Sequence, residues 1–359
     1  MLIVPFLAYD QDPYIVFADG RLYWIIDAYT LSDRYPYSEP SGGFNYIRNS
    51  VKVVIDAYNG TVRYYVVEEE PIVRAYESIF PNLFLPLDSM SEELQAHLRY
   101  PADLFKVQAG IYRNYHMRDP QVFYNREDAW DIPTEVYEGS RQTVEPYYVI
   151  MKTPGTEKDE EFMLIQPFTP RSKNNMIAWM CAKSDQPDYG DLIVFKFPKD
   201  QLIFGPMQIE ARIDQDTDIS EQLTLWSQKG SSVIRGNLLV VPIEKSLLYV
   251  EPLYLRAENS ELPELKRVIV AYDGKVAMEE TLEEALAMIF EFAPEAAPRT
   301  AALGEREDLS TAELIGQAGT LYRSAQEQLR AGNWSGYGEE TDRLGEVIRA
   351  LEERTVARS

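Results

Sequence analysis

The sequence has one cysteine, two histidines and no apolar run that approaches the length of a membrane span. A single cysteine excludes an internal disulfide, and the apolar neighbours of Cys181 predict a small buried residue. A nucleophilic cysteine needs a nearby base, and only His97 and His116 are present to supply an imidazole. A bilayer span takes roughly 20 apolar residues, so we expect no membrane helix within this chain.

Basic residues are also scarce, since 35 lysines and arginines face 58 aspartates and glutamates, which gives a net charge of −23. A phosphate backbone or an anionic lipid surface would be repelled, so no nucleic-acid partner is expected. The sequence contains no Gly-x-Ser-x-Gly, zinc-ligand spacing, phosphate-binding loop or dinucleotide fingerprint. We therefore predict no cofactor, and whether the protein is an enzyme stays uncertain, with the balance against it.

Tyrosine and proline, by contrast, are abundant, with 24 and 22 residues, which favours strands and well-marked loops. A strand, a tight turn and a second strand are predicted twice, around Asn59-Gly60 and around Asp273-Gly274. These dipeptides favour hairpins because a type I′ turn needs positive φ at both central residues. An earlier hairpin is predicted around Asp19-Gly20, and Leu22-Tyr23 resembles Leu248-Tyr249 in the second half.

The two halves share an order of hairpin, loop, strand, turn, strand and helix, which suggests an internal duplication. We therefore predict an α+β fold of two related lobes of mainly antiparallel sheet with flanking helices, plus a C-terminal helical hairpin. The predicted parts are residues 1–135 and 136–292 for the two lobes, 293–309 for a linker and 310–359 for the helical hairpin. The alternative is a chance likeness, since any hairpin followed by a helix looks similar.

Apolar spacing predicts the main helices. One begins at Pro71, another at Ser91, and a third runs from Asp103 to Met117. The third carries a stripe formed by Leu104, Val107, Gln108, Ile111, Tyr112 and Tyr115. Short strands are predicted at Leu192–Phe197 and Gln201–Phe204, and a further helix from Thr281 to about Phe292. The apolar faces of the helical hairpin at 310–359 need cover from the body of the protein, from a missing part of the chain or from a second copy, so a homo-oligomer is one possible outcome.

The long polar and aromatic loop between about Thr30 and Asn45 is the first candidate site, because functional residues concentrate on such loops. Tyrosine and arginine together suit a sugar or peptide surface. The candidate ligand-binding residues are Asp33, Arg34, Tyr35, Tyr37, Tyr46 and Arg48. The alternative is a self-packed loop whose arginines pair with carboxylates and carbonyls.

A second candidate is a cation site at Asp214, Asp216 and Asp218, whose spacing resembles the opening of a calcium loop. The remainder of that pattern fails, because Ile219 stands where glycine is needed and Leu225 where a bidentate glutamate belongs. A calcium site of another type is one hypothesis, and acids at a helix N-terminus are the alternative. His116 beside Asp119 also suggests acid–base chemistry or, with His97, a metal site, although a histidine at a helix C-terminus is commoner.

Several long segments together resemble one family. They are Asp19–Thr30, Ser32–Tyr37, Phe44–Lys52, Asp119–Glu127, Pro167–Pro170, Gly205–Asp214 and Arg235–Leu239. The combination resembles uncharacterised protein family 0182 of bacterial multi-pass membrane proteins. The resemblance implies a longer parent protein with N-terminal membrane helices, of which this chain is the C-terminal soluble region on the extracytoplasmic side. The chain start, Met1–Ala8, is too short for a signal peptide and is expected to be the edge of a longer chain.

The resemblance carries over no catalytic residue. The leading functional hypothesis is an extracytoplasmic interaction or ligand-binding domain of a bacterial envelope membrane protein located in the cell membrane. Its expected partners are the membrane helices of its own parent chain and other envelope proteins or cell-wall material. Two alternatives are an envelope hydrolase acting on glycan or peptide and a purely structural assembly domain. Convergence of Asp33, Glu39, Glu210 or Asp214 in one cleft would favour the hydrolase.

Overall fold

The computed structural model describes residues 4, 6–156, 160–198, 200–227, 231–243, 246–257 and 262–291, with isolated positions between 320 and 347. The chain forms two compact units, Met1–Glu291 and Phe292–Ser359. The predicted linker at 293–309 lies outside the described residues, and so does almost all of the predicted helical hairpin at 310–359. Everything that follows concerns the first unit.

The first sheet is built on turns that the sequence marks with glycine. Asp19 and Gly20 both have positive φ, as a tight two-residue hairpin requires, and Gly60 has positive φ in the next turn. The strands are β1 (Ala8–Tyr9), β2 (Tyr14–Ala18), β3 (Arg21–Ser32), β4 (Tyr46–Asp56), β5 (Val62–Val66) and β6 (Phe84–Pro86). Their order is β1-β3-β4-β5-β6, and β2 also pairs with β3. Only β5 and β6 run parallel among these pairs.

The second sheet forms the centre of the unit. Its strands are β7 (Trp130–Asp131), β10 (Tyr147–Met151), β11 (Glu161–Pro170), β12 (Ala178–Lys183) and β13 (Leu192–Lys196). Strands β11 and β12 are buried along almost their whole length, which matches their nearly continuous apolar sequence. A separate two-stranded ribbon consists of β8 (Thr134–Tyr137) and β9 (Ser140–Thr143). Since β7 pairs with β11, strands from both predicted lobes meet in this sheet.

The third sheet has the same strand order as the first. Its strands are β14 (Ser231–Arg235), β15 (Leu239–Ile243), β16 (Ser246–Ala257), β17 (Glu264–Tyr272) and β18 (Lys275–Glu279). The order β14-β16-β17-β18, with β15 also paired to β16, repeats the order β1-β3-β4-β5 with β2 paired to β3. Both central strands pair irregularly at one place, near Ala28 in β3 and near Leu253 in β16. This repeated order agrees with duplication, which itself stays a prediction.

Seven α-helices flank the sheets within the described residues. They are α1 (Pro71–Ile79), α2 (Glu92–Gln95), α3 (Ala102–Tyr115), α4 (Pro120–Asn125), α5 (Pro206–Gln215), α6 (Thr217–Trp226) and α7 (Leu282–Phe290). Proline begins α1, α4 and α5, where its missing N–H costs nothing. Side chains of Glu70, Ser91, Asp119, Asp216 and Thr281 accept hydrogen bonds from the first helical N–H groups.

The predicted α+β class with mainly antiparallel sheets is confirmed. The domain boundaries stay a prediction. The strand predicted at Gln201–Phe204 is wrong, since those residues form no strand and lead directly into α5, which the sequence analysis did not predict. The helices that follow the two corresponding strand pairs also differ in position. Helix α1 packs on the face that holds Val53, whereas α7 packs on the opposite face, which holds Val270.

Candidate functional site

A cleft of about 680 Å³ opens where three parts of the first unit meet. The loop between β3 and β4 forms one wall, helix α3 forms another, and the segment between β12 and β13 contributes to the floor. Six tyrosines line the cleft, namely Tyr35, Tyr46, Tyr100, Tyr112, Tyr115 and Tyr189. Its polar lining includes Glu39, Asn45, Arg48, Asn49, Glu68 and Gln108.

Helix α3 presents to the cleft the stripe that its sequence predicts. All six predicted residues line it, namely Leu104, Val107, Gln108, Ile111, Tyr112 and Tyr115. Residues three and four apart share one helical face, so a single stripe forms a continuous wall. Phe105 and Ala109 are fully buried in the core. The helix is therefore anchored on one side and lines the cleft on the other.

The loop wall is held by a side chain that pairs with main chain. Asn45 Oδ1 accepts a hydrogen bond from the Tyr35 N–H at 3.0 Å, and its Nδ2 donates to the Tyr35 carbonyl at 2.7 Å. The ring of Tyr35 stacks on that of Tyr46, with centroids 5.3 Å apart and planes 19° apart. The Arg48 guanidinium lies 5.0 Å from the Tyr46 ring centroid. The exposed aromatic surface is thus fixed in place before any ligand arrives.

The buried Tyr100 and the partly buried Tyr189 form part of the floor. Tyr100 donates its hydroxyl to Gln108 Oε1 at 2.9 Å, and Tyr189 donates to the Arg99 carbonyl at 2.9 Å. Burial raises the pKa of both phenols above the ordinary value of 10. Both hydroxyls therefore stay protonated at neutral pH. Their rings lie 6.1 Å apart, which makes the floor rigid and aromatic.

A buried ion pair lies behind this floor. Lys52 and Asp27 are register partners on β4 and β3, and their side chains form an ion pair with almost no exposure to solvent. Lys52 Nζ also donates to the Arg99 carbonyl at 2.8 Å and lies 5.3 Å from the Tyr189 ring centroid. Burial raises the pKa of Asp27, while the Lys52 charge opposes that rise. The pair connects the first sheet to the residues that support the cleft floor.

Charged groups at the cleft are half exposed. Arg48 Nε and Glu68 Oε1 lie 3.8 Å apart, and exposed pairs of this kind contribute little stability, roughly 0–1 kcal/mol. A hydrogen bond to Glu39, with burial adding to it, raises the pKa of the Tyr115 hydroxyl. Tyr46 donates to Glu70 Oε2 at 3.3 Å, the same carboxylate that caps α1. The exposed groups among these, Arg48, Glu68 and Glu39, can exchange their partners for ligand hydroxyls at small cost.

The structure brings together three of the six predicted loop residues. Tyr35, Tyr46 and Arg48 line the cleft. Asp33 and Arg34 do not; they lie 3.7 Å from each other and are largely solvent-exposed. Tyr37 is fully exposed outside the cleft, on a residue with positive φ. Tyr100 and Tyr189 were not predicted, because nothing in the spacing of these distant residues indicates that they meet.

The three aspartates of the calcium hypothesis have separate structural roles. Asp214, on α5, forms an ion pair with Arg235 at 2.7 Å. Asp216 caps α6 by accepting a hydrogen bond from the Ile219 N–H at 3.1 Å, and Asp218 lies in the first turn of that helix. Across the described residues, no group of three or more His, Cys, Asp or Glu side chains could hold a metal ion. The calcium site stays a prediction without support from the geometry.

A buried charge cluster that the sequence analysis missed surrounds Arg235. Its Nε donates to Glu251 Oε1 at 2.5 Å, and the same guanidinium contacts Glu210 and Asp214. Burial first, and then the nearby Glu251 carboxylate, raise the pKa of Glu210 to about 8, although Arg235 opposes that rise. Burial also raises the pKa of Glu251 and that of nearby Glu135. These residues come from β8, α5, β14 and β16, so the cluster connects four elements.

Neither His116 nor Cys181 lies in a reactive setting. His116 stacks on Trp130 at 3.7 Å, and burial lowers the pKa of its imidazole. Asp119, its suspected acid–base partner, instead caps α4. His97 is exposed at the end of α2. Cys181 is buried as predicted, and burial raises the pKa of its thiol to about 12, which disfavours the nucleophilic thiolate.

Residues 1–226 match the Uncharacterised protein family (UPF0182). The chain belongs to this family. A UPF0182 protein of Pelotomaculum thermopropionicum is 54% identical over 361 residues, covering 98% of this chain and 39% of the relative. Those of Methanospirillum hungatei and Trichodesmium erythraeum are 54% and 50% identical, covering 96% and 98% of this chain and 39% and 41% of each relative.

The chain therefore spans about two fifths of the length of the curated relatives it matches. No solved structure is significantly similar. In the described part of this UPF0182 chain, no helix is long and apolar enough to cross a membrane.

Proposed function

We propose that this chain is the ligand-binding region of an envelope membrane protein and that its cleft binds a carbohydrate chain. The observation that carries the proposal is the pre-arranged tyrosine lining, above all Tyr35 stacked on Tyr46. Sugar rings expose C–H faces that pack on aromatic rings, and their hydroxyls need both donors and acceptors. Tyrosine supplies both, through an apolar ring and a hydroxyl at its edge.

The polar groups of the cleft support the same ligand class. Glu39, Glu68 and Gln108 offer acceptors and Arg48 offers donors, distributed around the aromatic surface. The volume of about 680 Å³ lies in the range that small-ligand sites occupy, roughly 300–1,000 Å³. A neutral glycan suits a chain of net charge −23 better than a polyanion does.

The matched variants Tyr35→Ala and Tyr37→Ala test the proposal, because both tyrosines belong to one loop and only Tyr35 lines the cleft. The probe is a β-1,4-linked N-acetylglucosamine hexamer, and titration calorimetry measures its binding. One lost aromatic contact is worth roughly 0.5–1.5 kcal/mol, so we expect Tyr35→Ala to weaken binding by about 2- to 10-fold. Tyr37→Ala should bind like the parent chain. Equal losses in both variants, or no binding by the parent chain, would contradict the proposal.

The hydrolase alternative has no comparable support. Glu39 lines the tyrosine cleft, whereas Glu210 and Asp214 both contact Arg235 elsewhere. Asp33 is solvent-exposed and lines neither place. The four carboxylates that would favour this alternative therefore do not converge. Chromatography of the hexamer after incubation with the chain separates the two ideas, since a hydrolase would shorten it and a binding module leaves it intact.

The extracytoplasmic location is part of the same proposal and rests on the family resemblance. A membrane-impermeant amine reagent applied to intact cells tests it, with lysed cells as the reference. We expect the lysines of this region to be labelled in intact cells. Labelling only after lysis would overturn the location and would leave the carbohydrate-binding proposal to be judged by calorimetry.

A further inference from the structure

The first and third sheets share a ladder of corresponding positions. The hairpins are aligned at the cross-strand pairs nearest their turns, Ala18–Arg21 in one and Ile243–Ser246 in the other. Counting from these turns gives two rows of cross-strand partners. They are Ile15–Trp24–Ile55–Val62 in the first sheet and Val240–Tyr249–Ala271–Val276 in the third. The two rows lie on corresponding faces of their sheets, because the two sheets agree in strand order and in register.

In the third sheet, this row is covered by a pair of helices. Ile209 and Ile213 of α5 and Ile219 of α6 pack in one buried cluster with Val240 and Tyr249. Tyr249 is only 4% exposed, and Leu247, two residues closer to the turn on the same face of the strand, is equally buried. The covering helices are amphipathic and contribute mainly isoleucine to the contact.

In the first sheet, three of the four residues in the corresponding row are exposed to solvent, and the fourth, Ile55, is partly buried. Ile15 is 47% exposed and Trp24 is 40% exposed. Phe17 and Leu22, the neighbouring cross-strand pair toward the turn, are 50% and 36% exposed. Helix α1 covers the other end of this face through Val73 and leaves this end uncovered. A contiguous group of large apolar side chains at this exposure indicates a contact surface.

We propose that this surface, formed by Ile15, Phe17, Leu22, Trp24 and Val62, binds an amphipathic helical pair supplied by the remainder of the longer polypeptide. The third sheet shows which kind of element covers this face in this fold, namely α5 and α6. The chain spans only 39% of the relatives it matches, so most of a family polypeptide is available to supply such helices.

The width of the exposed row matches the length of a short helix. Four strands spaced about 4.8 Å apart make a row about 15 Å across, which a helix of about 10 residues spans at 1.5 Å per residue. Helices α5 and α6 each have 10 residues. A helix of that size with isoleucine or leucine three and four residues apart would cover the row as α5 and α6 cover theirs.

Thiol accessibility tests the proposal, because the sole native cysteine of the chain, Cys181, is buried. Phe17→Cys reports on the surface, and Tyr124→Cys, at a position 86% exposed on α4, is the control. Maleimide reaction rates are measured in the 359-residue chain and in the polypeptide as its organism encodes it, with other cysteines replaced by serine. We expect similar rates for both thiols in the 359-residue chain. In the encoded polypeptide, we expect the Phe17→Cys thiol to react at least 10-fold more slowly and the control thiol to be unchanged.

A photoreactive residue in place of Trp24 identifies the occupant. The proposal requires a cross-link to an amphipathic helical segment of the same polypeptide outside residues 1–359. An unprotected Phe17→Cys thiol in the encoded polypeptide overturns it. Protection in the 359-residue chain that disappears on dilution, with cross-linked dimers, assigns the surface to a second copy and also overturns it. Protection that depends on lipid vesicles and is lost in detergent assigns it to a membrane surface, with the same consequence.

Discussion

Replacing Glu210 by glutamine tests the carboxyl of the Arg235 cluster whose pKa is clearly raised in the folded chain. Glu210 is 1% exposed in its side chain and shares the guanidinium with Glu251, so a second negative charge there is costly. Its pKa is about 8 in the folded chain, against an ordinary value of 4.5. The folded state therefore binds a proton that the unfolded state releases between these two pH values. The resulting stabilisation is fully present below pH 4.5 and is lost as pH rises through 8.

The size of the change in stability follows from the difference between the two pKa values of Glu210. Each pKa unit corresponds to about 1.4 kcal/mol, so the parent chain should lose roughly 3 kcal/mol of stability between pH 5 and pH 8, because Glu210 releases its proton in the unfolded state and largely keeps it in the folded state. Glutamine resembles the protonated carboxyl in shape and carries no charge at any pH. The stability of Glu210→Gln relative to the parent chain should therefore rise by roughly 3 kcal/mol between pH 5 and pH 8.

Urea unfolding at pH 5, 6, 7 and 8 measures this difference for both chains. Asp214→Asn is the control, since Asp214 contacts the same arginine but its side chain is 58% exposed. The control should change stability by less than about 1 kcal/mol. A difference between parent and Glu210→Gln that stays constant over this pH range would refute the reasoning, because it would mean that Glu210 is already ionised at pH 5.

Four further predictions concern the packing of the first unit. Lys52→Met should destabilise the fold by about 3–5 kcal/mol because it strands the buried Asp27 carboxylate, and Lys52→Met combined with Asp27→Leu should recover much of that loss in urea unfolding. Gly205→Ala should lower the free energy of unfolding by about 1–3 kcal/mol, since the added Cβ would lie 1.9 Å from a backbone carbonyl oxygen. Gly110→Ala, in open space within α3, should stabilise by up to about 1 kcal/mol, and the reverse order of melting temperatures would refute both. Cys181 should react with a disulfide reagent only at the rate of unfolding, and fast labelling of the native chain would contradict its burial.

The helices and hairpins were predictable where a residue determines the conformation of the backbone next to it. Proline at the first helical position, polar N-caps and glycine turns act within a few residues, so α1, α2, α3 and the hairpins follow from short patterns. The stripe on α3 was predicted complete, together with its position. What the stripe faces was not predictable, because Tyr100 and Tyr189 meet through contacts between segments that are far apart in the sequence, such as the hydrogen bond from the Tyr100 N–H to Ser184 Oγ.

The internal likeness shows the limit of pattern matching. Aligning Asn59-Gly60 with Asp273-Gly274 assumes that the two hairpins have turns of the same length. The cross-strand pair nearest the turn is Ile55–Val62 in one hairpin and Tyr272–Lys275 in the other, so the two turns differ in length. The strand register also makes Leu22 of the first sheet equivalent to Leu247 of the third sheet, and not to Leu248. A one-residue slip exchanges the two faces of a strand, so sequence likeness alone could not say which face is buried.

The strand–turn–strand pattern, the helix stripes, the buried cysteine and the aromatic loop were determined by the sequence itself, because propensity and periodicity operate over a few residues. Tertiary structure alone decided which loop tyrosines enter a cleft, that Arg235 gathers three carboxylates, and that one sheet face is covered by helices while its counterpart is open. These features depend on contacts between residues that lie from 16 to more than 100 positions apart. Such contacts are set by packing and strand register, which no short stretch of sequence encodes.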